Sequence, residues 1–149
     1  MIIQQQLEGH YNRQQKLESI YTFLVEINDE YNPPLDAKVD LHQYAEKILD
    51  NAVLFVEDDN SKIVGMVVLY CNDINGEKAY IPLVGVLHAY RRRGIAKKLM
   101  LEAISYVNSK EFKVVGIHSN NPIAVKAYCN LGFDIIEDGE RKYMELMIK

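Results

Sequence analysis

Arg91-Arg92-Arg93-Gly94-Ile95-Ala96 decides how this chain is read. It follows an apolar, β-branched stretch, Tyr80-Ile81-Pro82-Leu83-Val84-Gly85-Val86-Leu87, which has the composition of a strand. After Gly94, Ile95, Leu99, Ile104 and Val107 recur at helical spacing, with Lys97, Lys98 and Glu102 between them. A glycine at a strand-to-helix turn lets the backbone approach a ligand closely, because no Cβ intervenes. The free N–H groups of a first helical turn, aided by the helix dipole, favour an anion there. Arg91, Arg92 and Arg93 add donors suited to phosphate. The stretch therefore reads as a diphosphate cradle; the plainer alternative is a solvated basic face around an ordinary turn. Neither G-x-x-x-x-G-K-[ST] nor G-x-G-x-x-G occurs at this turn.

Composition narrows the classes. The 149 residues are 48% hydrophobic and 26% charged, enough for one domain over residues 1–149 with a sizeable core. Net charge is −4, which argues against nucleic acid as a partner. Five of the 17 basic residues nevertheless fall between Arg91 and Lys98, a local patch suited to a small phosphorylated ligand. No apolar run is long enough to span a bilayer, and no signal-peptide pattern precedes the first polar segment, so no membrane partner is expected. Cys71 and Cys129 have neither metal-ligand spacing nor disulfide density, so the expectation is no metal and a reduced, cytoplasmic setting.

Periodicity predicts a helix over 11–31, ended by Asn32-Pro33-Pro34, and a second from an Asp40 N-cap to about Leu49. A hairpin follows, with strands at 52–57 and 63–70 and a turn at Asp58-Asp59-Asn60-Ser61. Then come the strand at 80–87, a helix over 93–109, a strand at 112–118, a helix over 122–131, and strands near 133–137 and 142–148. The order gives an α/β mixed sheet with helices on both faces. Gly85 and Gly116 fall near the middle of their strands, where glycine often marks a close backbone approach.

Arg91, Gly94 and Ala96 fill the fixed positions of [QR]-x-x-G-x-[GA], and the segment resembles the acyl-CoA-binding motif of the GNAT superfamily of N-acetyltransferases. A second block agrees: Asn121, Ala124, Tyr128, Gly132 and Phe133 meet every fixed position of N-x-x-A-x-x-x-Y-x-x-x-G-F. The likeness spans about residues 50–149. It implies a mostly antiparallel sheet with two central parallel strands that splay apart, and acetyl-CoA as cosubstrate. It also implies that the strand backbone at Val84, Gly85 and Val86 holds the pantetheine arm and supplies the oxyanion donor. Arg91 to Ala96, with Ile95 among them, would hold the diphosphate. Asn121 would bond the pantetheine amides or cap its helix, and Tyr128 would return a proton to the departing thiolate. A residual first strand at 2–6 would belong to the same pattern.

In ribosomal-protein N-terminal acetyltransferases a glutamate stands five residues before the motif asparagine; here that position is Gly116. His118, two residues on, shares its strand face and is suited to proton transfer near neutrality, although a polar edge histidine is the commoner role. The missing carboxylate bears on the acceptor. Deprotonating an amine of pKa ~10.4 at pH 7 costs about 4.6 kcal/mol, against about 1.4 for one of pKa ~8. A low-pKa amine is easier to reconcile with this site. The N-terminal third, with Pro33-Pro34-Leu35, Asp40 and Tyr44, and with Asn72-Asp73 beyond the hairpin, is similar to acetyltransferases of bacterial surface-polysaccharide amino sugars. Asp40, Tyr44 and Tyr70 could bind hydroxyls or an ammonium there, or could cap and pack. The expected partner is a small-molecule amine, with an amino sugar preferred and a homodimer left open. Alternatives are acetylation of a protein N-terminus or lysine, a binding module that senses acyl-CoA without turnover, and a plain structural domain.

Overall fold

The computed structural model describes residues 12–148, so a strand at 2–6 lies outside the described residues. Helix α1 runs Arg13–Ile27, started by a capping box in which Asn12 and Gln15 bond each other's backbone N–H. It stops short of the expected Tyr31 because Asn28–Glu30 tightens into a 3-10 turn. The buried Asn28 explains the stop: its side-chain oxygen accepts from the Asp36 N–H at 2.8 Å and ties the following loop down. Helix α2 runs Leu41–Asn51, with the Asp40 carboxylate accepting from Gln43 N–H at 2.9 Å.

Strands β1 (Val53–Asp59) and β2 (Lys62–Tyr70) form a longer hairpin than the four-residue turn at 58–61 implied. Asn60 and Ser61 both adopt positive φ, so two residues close it, as in a type I′ turn. Strand β3 (Lys78–Val86), helix α3 (Ile95–Ser109), strand β4 (Val114–Ser119), helix α4 (Pro122–Asn130), and strands β5 (Asp134–Glu137) and β6 (Lys142–Met147) complete the chain. Helix α3 begins at Ile95 rather than 93, because Arg92 and Gly94 take left-handed φ values of 66° and 75°. Sheet order is β1-β2-β3-β4-β6-β5, with β3–β4 the only parallel pair among the described strands.

The parallel ladder is short. It runs from Lys78↔Val114 to Ile81↔Ile117 and ends there, while β3 continues to Val86 on β2 and β4 to Ser119 on β6. The next residue of β3 is Pro82, which has no N–H to donate. At the same place the β2–β3 register slips, with Val68 opposite Leu83 but Tyr70 opposite Tyr80. A slip of one residue reverses which face each side chain takes. Ala79 and Ile81 pack into the core beneath α3 and α4, whereas Leu83 packs into the core beneath α1 and α2. The central strands splay apart beyond this bulge, and helices cover both faces.

The two glycines expected to mark close approaches do so. A Cβ on Gly85 would lie 2.9 Å from the Tyr31 hydroxyl and 2.9 Å from a methyl of Ile27. One on Gly116 would lie 2.5 Å from the Tyr143 hydroxyl. Replacing Gly85 by alanine therefore forces α1 and Tyr31 away from β3. The expected cost is about 1–3 kcal/mol, as for other overpacked sites. Urea unfolding should show a lower midpoint at unchanged slope; an unaltered midpoint would contradict this packing.

Candidate active site

The cradle is built by local backbone geometry. Leu87 N–H donates to the Val64 carbonyl at 2.9 Å, and a 3-10 turn at His88–Tyr90 then swings the chain toward α3. Arg91 N–H still reaches the His88 carbonyl, at 3.3 Å. From Arg92 to Lys97 no backbone N–H has a protein acceptor among the described residues; the first helical bond is Lys98 N–H to the Gly94 carbonyl, 3.0 Å. No side chain caps this end of α3, and nothing lies within 4 Å of where a Cβ on Gly94 would sit. A run of donors at an open, dipole-favoured helix start can bind a diphosphate.

The three arginines have different surroundings. Arg91 is a brace: its Nε donates to the Val86 carbonyl at 3.2 Å and its guanidinium pairs with Glu30. Arg93 lies over the Tyr90 ring, 5.0 Å from its centroid, and reaches the Ala89 carbonyl at 3.4 Å. Lys98 pairs with Glu57 at 3.0 Å. Arg92 alone of the three arginines has no side-chain partner among the described residues. Sequence could not distinguish these roles, because Glu30 lies 61 positions from Arg91.

The open edge of β3 follows from its ladder. In an antiparallel pair, bonded and non-bonded residue pairs alternate, and a residue's N–H and C=O point the same way. Since Leu87 bonds across to β2, Val84 and Val86 must turn the other way, toward the splay. Their carbonyls confirm it: Val84 accepts from the Tyr31 hydroxyl at 2.6 Å, and Val86 from Arg91. The N–H groups of Val84 and Val86 therefore face the gap where β4 has departed, with Gly85 between them turned back to β2.

Helix α4 presents Tyr128. Asn121 caps it, its side-chain oxygen accepting from Ile123 N–H at 2.9 Å and Ala124 N–H at 3.3 Å. The Asn121 side-chain NH₂ has no partner among the described residues, so capping and ligand binding are compatible. Tyr128 is buried, yet its hydroxyl makes no hydrogen bond among the described residues. Burial pushes its pKa up to about 12. Tyr31 sits close enough that Tyr128 adds to its cost of ionisation, after burial, the larger cause. Cys129 is exposed and free, on a different face of α4 from Tyr128.

His118 is not the solitary group that its sequence neighbourhood suggests. Its Nδ1 lies 2.6 Å from the Tyr80 hydroxyl, and the Tyr143 ring packs against it at 4.7 Å between centroids. The Tyr143 hydroxyl, which takes up the space over Gly116, donates to Glu145 at 2.7 Å. Lys78 pairs with the same Glu145 carboxylate at 3.0 Å. Burial, then Arg141 and Lys78, lower the His118 pKa against an opposing pull from Glu137, so the ring is neutral at pH 7. Tyr44 lies near Tyr70 and Tyr80, and burial, more than those neighbours, holds its pKa well above the usual phenol value. The Tyr70 hydroxyl is buried without a hydrogen-bond partner among the described residues. Asp40 serves as a helix cap.

The sequence reading gives Tyr31, Tyr80 and Tyr143 no role in the site. Strand alternation could have placed Tyr80 and Tyr143, but the bulge at Pro82 hides which face they share. Among the described residues, no group of three or more His, Cys, Asp or Glu could hold a metal ion, and no helix is long and apolar enough to cross a membrane.

Solved structures share this fold. An aminoglycoside 6'-acetyltransferase type Ii superposes with TM-score 0.74 at 14% identity, covering 93% of each chain. A GNAT-family acetyltransferase from Staphylococcus aureus Mu50 gives 0.72 at 21% identity, over 93% of this chain and 96% of the other. A GNAT-family acetyltransferase from Elizabethkingia anophelis, with acetyl-CoA bound, gives 0.60 at 19% identity, over 71% of this chain and 82% of the other. A search of curated proteins finds no match. The model of the acetyltransferase (GNAT) family matches residues 17–133, which includes both halves of the splay, the open helix start and Tyr128. The chain belongs to the GNAT acetyltransferase family and is an acyltransferase that uses acetyl-CoA.

Proposed function

We propose that this enzyme acetylates a primary amine of a small molecule, an amino sugar by preference, through direct attack within a ternary complex. The carrying observation is the splay itself: Val84 and Val86 amides open to the gap, with a buried phenol, Tyr128, that has no protein partner among the described residues. The amides of Arg92 to Ala96, including Gly94 and Ile95, hold the diphosphate, and Arg92 supplies the free guanidinium. Asn121 and the β3 edge position the pantetheine arm. His118 takes a proton from the acceptor ammonium, and the amine nitrogen then bonds to the thioester carbonyl carbon. A Val84 or Val86 N–H stabilises the oxygen that becomes negative. The C–S bond breaks as the Tyr128 hydroxyl gives its proton to sulfur, and the extra N–H proton of the newly acylated nitrogen is lost through solvent and restores the phenol.

Tyr128 being buried does not disqualify it as the acid. Desolvation also raises the proton affinity of a thiolate in the same place, so the two groups stay matched. No cysteine enters this scheme, and Cys71 and Cys129, both free thiols, fit a reducing cytoplasm.

The choice of acceptor rests on what faces it. No side chain projects from position 116, and Tyr143 closes that space. Glu145 is tied to Tyr143 and Lys78, whose hydrogen bonds hold its pKa below the usual carboxylate value. The remaining base is a neutral imidazole of depressed basicity, adequate for an amine of pKa ~8 or below and poor for one of ~10.4. Tyr31, Tyr44, Tyr70 and Tyr80 are half-buried and offer ring faces of the kind that pack on a sugar. A protein α-amino group shares the low pKa and is the second reading.

A panel of sugar amines, α-amino peptides and lysine peptides with acetyl-CoA, followed by free thiol, should give its highest kcat/KM with a sugar amine. Preference for lysine would contradict the acceptor assignment, and acetyl-CoA binding without turnover of any amine would favour a sensor. The Tyr128→Phe variant should lose about 10²-fold or more in kcat at near-constant KM for acetyl-CoA. Because the Tyr128 pKa is raised to about 12, the wild-type rate should show no alkaline fall between pH 8 and 10. A deprotonation limb in that range that vanishes in the phenylalanine variant would place its pKa elsewhere.

A further inference from the structure

We infer that Tyr80 is a positioning residue for the acetyl transfer: its phenol oxygen holds the Nδ1–H of His118 and leaves the Nε2 lone pair free to accept the proton of the acceptor amine. The inference rests on the proposed transfer, and its ground is a hydrogen bond that this reading does not otherwise use. His118 Nδ1 and the Tyr80 hydroxyl are 2.6 Å apart, while Nε2 has no hydrogen-bond partner among the described residues.

The tautomer follows from what protonation requires. A neutral imidazole carries one proton; the imidazolium carries two, and both nitrogens then donate. In the protonated state the Tyr80 oxygen can only accept from Nδ1–H. If the neutral ring already has its proton on Nδ1, it becomes imidazolium by gaining a proton on Nε2, with no hydroxyl to reorient. If the neutral ring instead accepts from the phenol at Nδ1, its Nε2 already carries hydrogen and has no lone pair for the amine. Only the first arrangement makes His118 a base on the open side.

The neighbours reinforce the constraint. The Tyr80 ring meets the imidazole edge-on, 66° between planes with centroids 5.6 Å apart, and the Tyr143 ring lies tilted against it at 40°. The ring is thus fixed between β3 and β6. Tyr143 cannot substitute for Tyr80, because its hydroxyl is committed to Glu145. Glu145 itself is held by Tyr143 and by Lys78, and makes no hydrogen bond to the imidazole. The charged and titratable groups around His118 are Lys78 and Tyr80 on β3, Tyr143 and Glu145 on β6, Glu137 at the end of β5 and Arg141 just before β6. Tyr44 on α2 lies beyond Tyr80. A base that is normally oriented by a carboxylate is here oriented by a neutral phenol, which fixes direction without adding a negative charge. The arrangement restricts the enzyme to acceptors that surrender a proton easily.

The ¹⁵N resonances of the His118 ring, recorded across its titration in the wild type with CoA bound, read the tautomer without any acceptor. The neutral ring should carry its proton on Nδ1, and in Tyr80→Phe the proton should move largely to Nε2. With an amine that the enzyme acetylates, Tyr80→Phe should lose about tenfold or more in kcat, within the range that a positioned base contributes, at unchanged KM for acetyl-CoA. The Tyr80→Phe, His118→Gln double variant should be no slower than His118→Gln alone, as for residues that act as one unit. An Nε2–H ring in an enzyme that does acetylate amines would overturn the role of Tyr80 alone, as would losses that multiply in the double variant. Absence of thiol release with every amine would overturn the transfer reading and this role with it. The wild-type spectrum decides the matter even where Tyr80→Phe fails to fold.

Discussion

The end of the β3–β4 ladder after Ile81 and Ile117 is the constraint on which the rest depends. Pro82 cannot donate to a neighbouring strand, and the bulge beside it shifts β3 by one residue against β2. One consequence is the gap into which Val84 and Val86 point their amides. Another is the change of face, which puts Leu83 on the side of α1 and α2, the side Tyr80 already faces by alternation with Ala79 and Ile81. Without the slip, the alternation set by Ala79 and Ile81 would turn Leu83 toward α3 instead. The same bulge thus opens the sheet and brings the segment after α1 against it.

That segment is fastened at two places along β3. Tyr31 bonds the Val84 carbonyl, and Arg91 ties Glu30 to the Val86 carbonyl. Both fastenings use carbonyls of the residues whose amides line the splay, so the proposed acceptor side and acyl side share one strand. Arg91 is therefore part of the architecture of the cradle, while the amides from Arg92 onward stay open. On the other wall of the splay, Gly116 and Tyr143 act as a complementary pair. The hydroxyl of one fills what the other lacks, and Glu145 and Lys78 neutralise each other beside it. The surface proposed to handle protons is left with phenols and one neutral imidazole, and under that proposal this limits the chemistry more than any single charge does.

Much of this was legible in the chain. Arg91, Gly94 and Ala96 after a β-branched strand fix the strand-turn-helix corner, and Asn121 and Tyr128 fix the second helix start and its phenol. These signals are local: each depends on residues within a dozen positions, so sequence carries them. Helix α1 ending at Ile27 was not legible, because the tie from Asn28 to Asp36 N–H is invisible to periodicity. Nor was the surrounding of His118, whose partners Tyr80 and Tyr143 lie 38 positions before and 25 after it on other strands. The proposed binding corner is written in contiguous residues, and the proposed proton-transfer site is assembled by the sheet.

The account stands on an acyl carrier's nucleotide tail being held by backbone amides at the start of α3. Amide ¹H–¹⁵N shifts recorded while acetyl-CoA is added test this residue by residue. The largest changes should fall on Arg92, Arg93, Gly94, Ile95 and Ala96, with Val84 and Val86 moving in the same saturating step. Unchanged amides from Arg92 to Ala96, in a protein that demonstrably binds the cosubstrate, would contradict it.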